Sequence, residues 1–471
     1  MNDNILVIGA GPAGLAAAYE LAKNGKKVTV LEKENQVGGI SKTIVHDGYR
    51  FDIGGHRFFT KSDRVNTLWN EVLGEEFLTR PRCSHIFFKK KFFNYPLKAS
   101  NVVRNLGVYL CIKVFLSYLS SRLKPYQKED NFEEWVSNRF GKELYRMFFK
   151  TYTEKVWGIP CNSIDAQWAA QRIKGLSFLT AVKNALFTNN SGKIKTLITK
   201  FNYPKFGPGQ MYEAIAKKIE EMGGKVVLNS RVVKLEEKDG CLISATDEKG
   251  EKYGFDYLIS SMPIDELVVL MDSFPEEVKD AARGLEYRSL LTVNLVFSYK
   301  IPLEDTWLYI HEPDVHLGRI QVFHNWSPYL VPDNETSSLG LEYFCYENDH
   351  LWSMKDNDLI KLGKDEISRL GLADEQKVMD AFVVRTRKTY PMYSNDFKKR
   401  MSLIRESLKK IVNIQPIGRY GMFKYNNMDH SILTGIYAAE NILGSNHDVW
   451  QINTEPEYHE EQGIGDRTNE K

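Results

Sequence analysis

Residues 4–32 read NILVIGAGPAGLAAAYELAKNGKKVTVLE. Asn4–Ile8 is a short apolar run of the kind a buried parallel strand shows, LAAAYELAKNG has a helical pattern, and Lys27–Leu31 is a second strand that ends at Glu32. Between the first two lie three glycines with separate duties. Gly9 permits a tight turn, Gly11 lets backbone approach a pyrophosphate at the helix N-terminus, and Gly14 lets helix and strand pack closely. Glu32 is placed to accept hydrogen bonds from a ribose, which disfavours a 2′-phosphate there and hence NADP. A bare glycine triplet is a weak signal. With strand, helix and acid in order it predicts a dinucleotide-binding βαβ unit.

Further glycines extend the reading. Gly38-Gly39 follows the second strand, and Gly54-Gly55-His56 closes the stretch FDIGGH at 51–56. Each pair alone is a turn. Together with the first cluster they resemble the layout of large flavoproteins of the glutathione-reductase type, which favours FAD over NAD. Near the other end, Gly418-Arg419-Tyr420-Gly421 precedes Asn427-Met428-Asp429-His430-Ser431 and a helix of small residues, LTGIYAAENIL. That helix start is a second candidate anion or flavin site, with Asp429 and Ser431 as its N-cap candidates and His430 between them. The strands Lys225–Leu228, Val232–Glu236 and Tyr257–Ser260 return to the dinucleotide pattern, which makes Val232 a further cofactor-side candidate.

The remainder sets the class. A chain of 471 residues has room for about three domains, or two with large insertions. With 63 basic against 61 acidic residues, a nucleic-acid partner across the whole surface is excluded. Five dispersed cysteines without a CxxC pair disfavour a disulfide scaffold or structural zinc and fit a reducing cytosol, so a cytoplasmic location is expected. No HxH, HExxH or GxSxG motif appears, so no metal site is expected. No signal peptide is read at the N-terminus. Val102–Leu123 is interrupted by Arg104 and Lys113, so no transmembrane segment is expected. It reads as an amphipathic helix of a soluble protein, with interfacial membrane contact as the alternative. Phe87–Tyr95 reads as two short strands around Lys89-Lys90-Lys91, and residues 290–346 alternate as an antiparallel sheet does.

The expected fold is α/β: a discontinuous Rossmann-type FAD-binding domain with a helical insertion and an antiparallel-sheet insertion. Its parts are 1–85, 201–280 and 381–446, with insertions at 86–200 and 281–380 and a polar tail at 447–471. Within the insertions, Trp157, Arg172, Trp307, Tyr309, Arg319, Tyr390 and Tyr425 are unusual in type. Taken singly these are core aromatics and surface ion pairs. Convergence near a flavin would suit a diphosphate-bearing substrate, because Arg and Tyr donate well to phosphate oxygens.

FDIGGHRFF (51–59), FEEWV (132–136), KVWGIP (155–160), AAQRI (169–173), WLYIHEP (307–313), GRIQVFHNWSP (318–328) and GRYGMFKYNNMDHS (418–431) decide a resemblance. The chain resembles the UDP-galactopyranose mutases, in particular their eukaryotic-type branch, within the protoporphyrinogen-oxidase and amine-oxidase flavoproteins. The resemblance implies an FAD enzyme of polysaccharide biosynthesis, active when reduced. The flavin N5 would attack the anomeric carbon of a UDP-galactose-like sugar, interconverting pyranose and furanose with no net redox change. It implies a catalytic set of His56 against the flavin with Arg172 and Arg319 on the diphosphate. Tyr309, Tyr390 and Tyr425 would assist, Trp307 would line the sugar, Tyr95 and Phe148 would pack on the base, and Trp157 would join the substrate set. Arg419 and Tyr309 would also serve a transient NAD(P)H reductant. Thr153 and Lys98 stand where the family's base pocket has Asn and Gln, which leaves the sugar and nucleotide open. An FAD-dependent oxidase or dehydrogenase is the alternative, a non-catalytic flavin-binding protein comes third, and a homo-oligomer stays open.

Overall fold

The computed structural model describes residues 3–95, 97, 99–166, 200–394 and 396–454. The opening stretch forms strand Asn4–Ile8, helix Pro12–Lys23 and strand Lys27–Leu31. Gly9 has φ +95°, and a Cβ on Gly14 would stand 1.9 Å from the Gly9 carbonyl oxygen. Only glycine allows the helix to close onto its strand this tightly. The two strands belong to a five-stranded parallel sheet, ordered Ile414–Pro416, Tyr257–Ser260, Asn4–Ile8, Lys27–Leu31 and Lys225–Val227. Strands from three distant parts of the chain therefore make one Rossmann-type sheet, and the long excursions between them carry the rest of this mixed α/β flavoprotein fold.

The second sheet has seven strands, ordered Val378–Pro391, Tyr287–Phe297, Ser337–Cys345, Arg319–Val322, Trp307–Ile310, Ser84–Phe88 and Lys91–Asn94. It is antiparallel except where Trp307–Ile310 runs parallel to Ser84–Phe88. Both excursions thus feed one sheet. Its last two strands are the aromatic hairpin read at 87–95, which turns on Lys89 and Lys90, both at positive φ. One face of the sheet is aliphatic, with Leu291, Val293, Leu295 and Leu341 against Leu359, Ile367 and Leu370 of helix Asp356–Leu370. The other face carries Thr292, Asn294, Gln321 and Glu342, all buried. Polar residues inside a sheet are the first sign of a site on that side.

Two expectations need correction. Val232–Glu236 does not return to the parallel sheet. The strand Val232–Lys238 pairs antiparallel with Cys241–Asp247, and that strand with Lys252–Gly254. Asp239 and Gly240 both take positive φ. An Asp-Gly turn of this kind selects the local hairpin over a long-range parallel partner. The helix read across Val102–Leu123 is two helices, Ala99–Leu106 and Val108–Leu123, bent by 115° at Gly107. No single helix among the described residues is long and apolar enough to cross a membrane. The helix read at 166–173, including Arg172, lies outside the described residues beyond Ala166. All five cysteines are free thiols.

Candidate active site

A cavity of about 1320 Å³ opens between the two sheets. One end is made by the dinucleotide unit. Gly9, Gly11, Ala13, Glu32 and Gly39 line it, as do Asn427, Asp429, His430 and Ser431 from the start of helix Met428–Ile442. That helix lies directly on Pro12–Lys23, where a Cβ on Gly435 would come 2.1 Å from the Ala13 carbonyl oxygen. Two helix N-termini therefore open into one cavity, and their unpaired N–H groups and dipoles favour an anion between them. The second helix is capped by Asn427, not by Asp429 or Ser431. The Asn427 side chain accepts from the His430 N–H while His430 Nδ1 accepts from the Asn427 N–H at 3.3 Å. Extended backbone at Asn427 places Asp429 and Ser431 inside the first turn, on the cavity.

The cradle fits a dinucleotide. Gly11 and Gly39 face each other, so that a Cβ on Gly39 would lie 3.3 Å from the Gly11 Cα. The gap is walled by backbone that any side chain would fill. Glu32 is anchored by the N–H groups of Ala10, at 2.7 Å, and Glu34, at 3.0 Å. Burial raises its pKa, against the pull of those two donors, and the carboxylate keeps acceptor capacity for ribose hydroxyls.

The FDIGGH loop enters the cavity because its first acid is tied down. Asp52 is buried and accepts from Thr43 Oγ1 at 2.9 Å and from the Tyr203 hydroxyl. Burial lifts its pKa to about 7. Gly54, at φ +82°, and Gly55 then carry the chain to His56 on the cavity wall. His56 is held neutral, its pKa pushed down to about 3 by burial and then by the nearby charges of Arg419 and Arg319. Its Nδ1 is buried without a hydrogen-bond partner among the described residues.

Sheet register builds the far end. Tyr309 is the direct cross-strand neighbour of Arg319, Arg319 of Glu342, and Glu342 of Thr292. These four side chains share one face as a row across the sheet. Glu342 has no exposed surface and receives Arg319 through Nε, at 2.8 Å, and Nη2, while Gln321 donates to its other oxygen at 2.6 Å. Burial alone would lower the Arg319 pKa, but the Glu342 charge overrides it and the net shift is upward. Arg319 is thus a permanent cation, locked by two of its three nitrogens. Arg419, also on the cavity wall, donates to the carbonyls of Asn426 and Thr389, with its guanidinium 4.8 Å from the Tyr425 ring centre. Tyr425 stacks on Tyr390 at 5.7 Å, and Tyr95 lies 5.1 Å from Tyr309.

The cavity collects most of the residues singled out in the sequence. Gly9, Gly11, Glu32, Gly39, Gly54, Gly55, His56, Val232, Gly418, Arg419, Asp429, His430 and Ser431 line it, as do Tyr95, Tyr309, Arg319, Tyr390 and Tyr425. Gly14 and Gly38 support it from behind. Phe148 and Trp157 are placed elsewhere, in the core of the helical insertion. The KVWGIP segment is a packing staple: Arg288 donates to the carbonyls of Lys155 and Val156, and Tyr346 to that of Trp157. Trp307 is buried beneath the cavity wall, stacked on Trp326 at 5.3 Å. Sequence reading missed Arg57 and Arg82. Both line the cavity and lie 5.5 Å from the Trp307 ring centre. Arg57 adjoins His56 in a motif already noticed, whereas Arg82 carries no local signal.

A family model described as flavin containing amine oxidoreductase matches residues 12–443. The chain belongs to that family. Membership implies FAD, and the cradle described above fits it. The mitochondrial protoporphyrinogen oxidase of Nicotiana tabacum is 22% identical over 470 residues, covering 88% of this chain and 90% of that one. A probable UDP-galactopyranose mutase of Klebsiella pneumoniae is 26% identical over 237 residues, 46% of this chain and 53% of that one. Among solved structures, reduced UDP-galactopyranose mutase matches with a TM-score of 0.82 over 97% of both chains, at 23% identity. At that identity the match speaks for the fold of this flavin amine oxidoreductase, not for its substrate.

Proposed function

We propose that this family member is an FAD-dependent nucleotide-sugar mutase, interconverting the pyranose and furanose forms of a UDP-galactose-like sugar without net redox change. The carrying observation is that Tyr309 and Arg319, the latter held by buried Glu342, line with Arg419, Tyr390 and Tyr425 the same cavity that the cofactor cradle opens into. A guanidinium fixed by a buried carboxylate and flanked by phenols suits a second diphosphate beyond that of the cofactor. When bound and reduced, FAD supplies the nucleophile for the anomeric carbon.

The chain's own groups do the rest. Arg319 holds the diphosphate as it becomes the leaving group, and the tyrosine hydroxyls donate to its oxygens. Neutral His56 adds no charge beside the flavin and offers a lone pair or an N–H according to tautomer. Tyr390 stays protonated because burial raises its pKa.

The test is to reduce the purified protein without oxygen, add UDP-galactofuranose and related nucleotide sugars, and look for the pyranose product. Turnover by the reduced form with no consumption of reductant supports the mutase. The oxidase reading is favoured by the near full-length match to a protoporphyrinogen oxidase. Turnover by the oxidised form with stoichiometric reduction of flavin would establish that reading instead.

A further inference from the structure

The helix Val108–Leu123 is apolar on its outer face. Val114, Tyr118 and Ser121 point into the protein, whereas Val108, Tyr109, Ile112, Leu116, Leu119 and Leu123 are 40–84% exposed. Those six fall at helical spacing along one stripe, the reverse of what a solvated surface helix shows. Exposed stripes of this size mark a binding face.

Charge decides what binds. Residues 83–128, which carry the hairpin, the bent helix pair and its exit, contain nine Lys and Arg and no Asp or Glu, whereas the rest of the chain has 54 basic against 61 acidic residues. Lys89 and Lys90 form the hairpin tip, and Arg104, Arg122 and Lys124 are exposed around the stripe. Lys113 is met by Glu143 from the neighbouring helix, at 3.0 Å. A second copy docked about a twofold axis would bring this basic set against itself. At 16 residues the helix is about 24 Å long, too short to span a bilayer, and the 115° bend at Gly107 stops the preceding helix from extending it.

We propose that this face docks on an anionic membrane surface, with the helix lying in the interface, its apolar stripe among the acyl chains and the basic rim on the headgroups. The docking is independent of the substrate reading above.

The test is sedimentation of the full-length protein with vesicles of phosphatidylcholine alone and of phosphatidylcholine with phosphatidylglycerol. The anionic vesicles should retain the protein at low salt and release it at high salt, and the zwitterionic ones should hold little. Replacing Lys89 and Lys90 with Ala should weaken partitioning about fivefold per charge. Ile112→Asp with Leu116→Asp should weaken it at least about tenfold, with an unchanged circular dichroism spectrum showing that the variant is folded. No binding to anionic vesicles at low salt would overturn the proposal, as would binding that neither set of substitutions alters. A dimer in vesicle-free buffer that Leu116→Asp dissociates would assign the stripe to a second copy instead.

Discussion

The Arg319–Glu342 pair makes a quantitative prediction. Glu342 is wholly buried and the Arg319 side chain is 19% exposed, with Nε 2.8 Å from the carboxylate. At an effective dielectric of about 20, charges at that separation attract by roughly 6 kcal/mol. Desolvation offsets most of this, and removing one partner of a buried pair costs about 3–5 kcal/mol. Because Arg319 opens onto a cavity, the low end applies. Arg319→Ala should therefore destabilise the protein by about 3 kcal/mol, since Glu342 is then left with Gln321 as its remaining donor among the described residues. Adding Glu342→Gln removes the stranded charge, so the double variant should recover roughly 1–2 kcal/mol of that loss. Urea unfolding of the four forms of the holoprotein, followed by tryptophan fluorescence, measures the cycle. A cost below about 1 kcal/mol for Arg319→Ala, or a double variant as unstable as the sum of the singles, would refute the reasoning that the pair acts as a unit. The cycle also bears on substrate binding. Loss of affinity in Arg319→Ala is ambiguous, whereas Arg319→Lys keeps the charge and tests the planar fork.

Other expectations follow from the same geometry. Gly14→Val would force its side chain against the Gly9 carbonyl, and should abolish flavin retention, read as the ratio of flavin to protein absorbance after purification. Trp157→Ala should cost about 3–5 kcal/mol of stability while leaving the substrate KM of the folded protein unchanged; weaker substrate binding at unchanged stability would return Trp157 to the site. His311 is buried against Tyr152, with its pKa pushed down to about 3 by burial and then by Lys155. It stays neutral in the folded protein while the unfolded chain takes up a proton below about pH 6.5. Its contribution is therefore lost as pH falls through that value, by up to about 1.4 kcal/mol per pH unit. Stability against pH between about 7 and 4.5 should be correspondingly flatter in His311→Gln, and an identical slope would show that His311 does not titrate this way.

Much of the fold is local, and so it was legible. Residues 4–32 contain strand, turn, helix and strand in one contiguous run, and the glycines that close it are separated by two to five positions. The Asp239-Gly240 hairpin and the break at Gly107 also carry local signals, since each turns on a glycine at positive φ beside an apolar run. Residue type could not separate Trp157 from Tyr309. Both are aromatics beside basic residues in the insertions, and only the packing around them puts one in a core and the other on the cavity.

By itself, then, the sequence determined a dinucleotide cradle, because a phosphate-binding turn needs particular residues at fixed short spacings, and its resemblance to flavoprotein layouts implied FAD. The substrate end was decided by tertiary structure. Tyr309, Arg319 and Glu342 come from three strands and become neighbours only through cross-strand register. Glu342 sits in the uniformly buried run SSLGLEYFC, where nothing local marks it as the partner that holds Arg319 in place. Register is set by long-range pairing and by which face of a sheet is covered, so no window of sequence contains it.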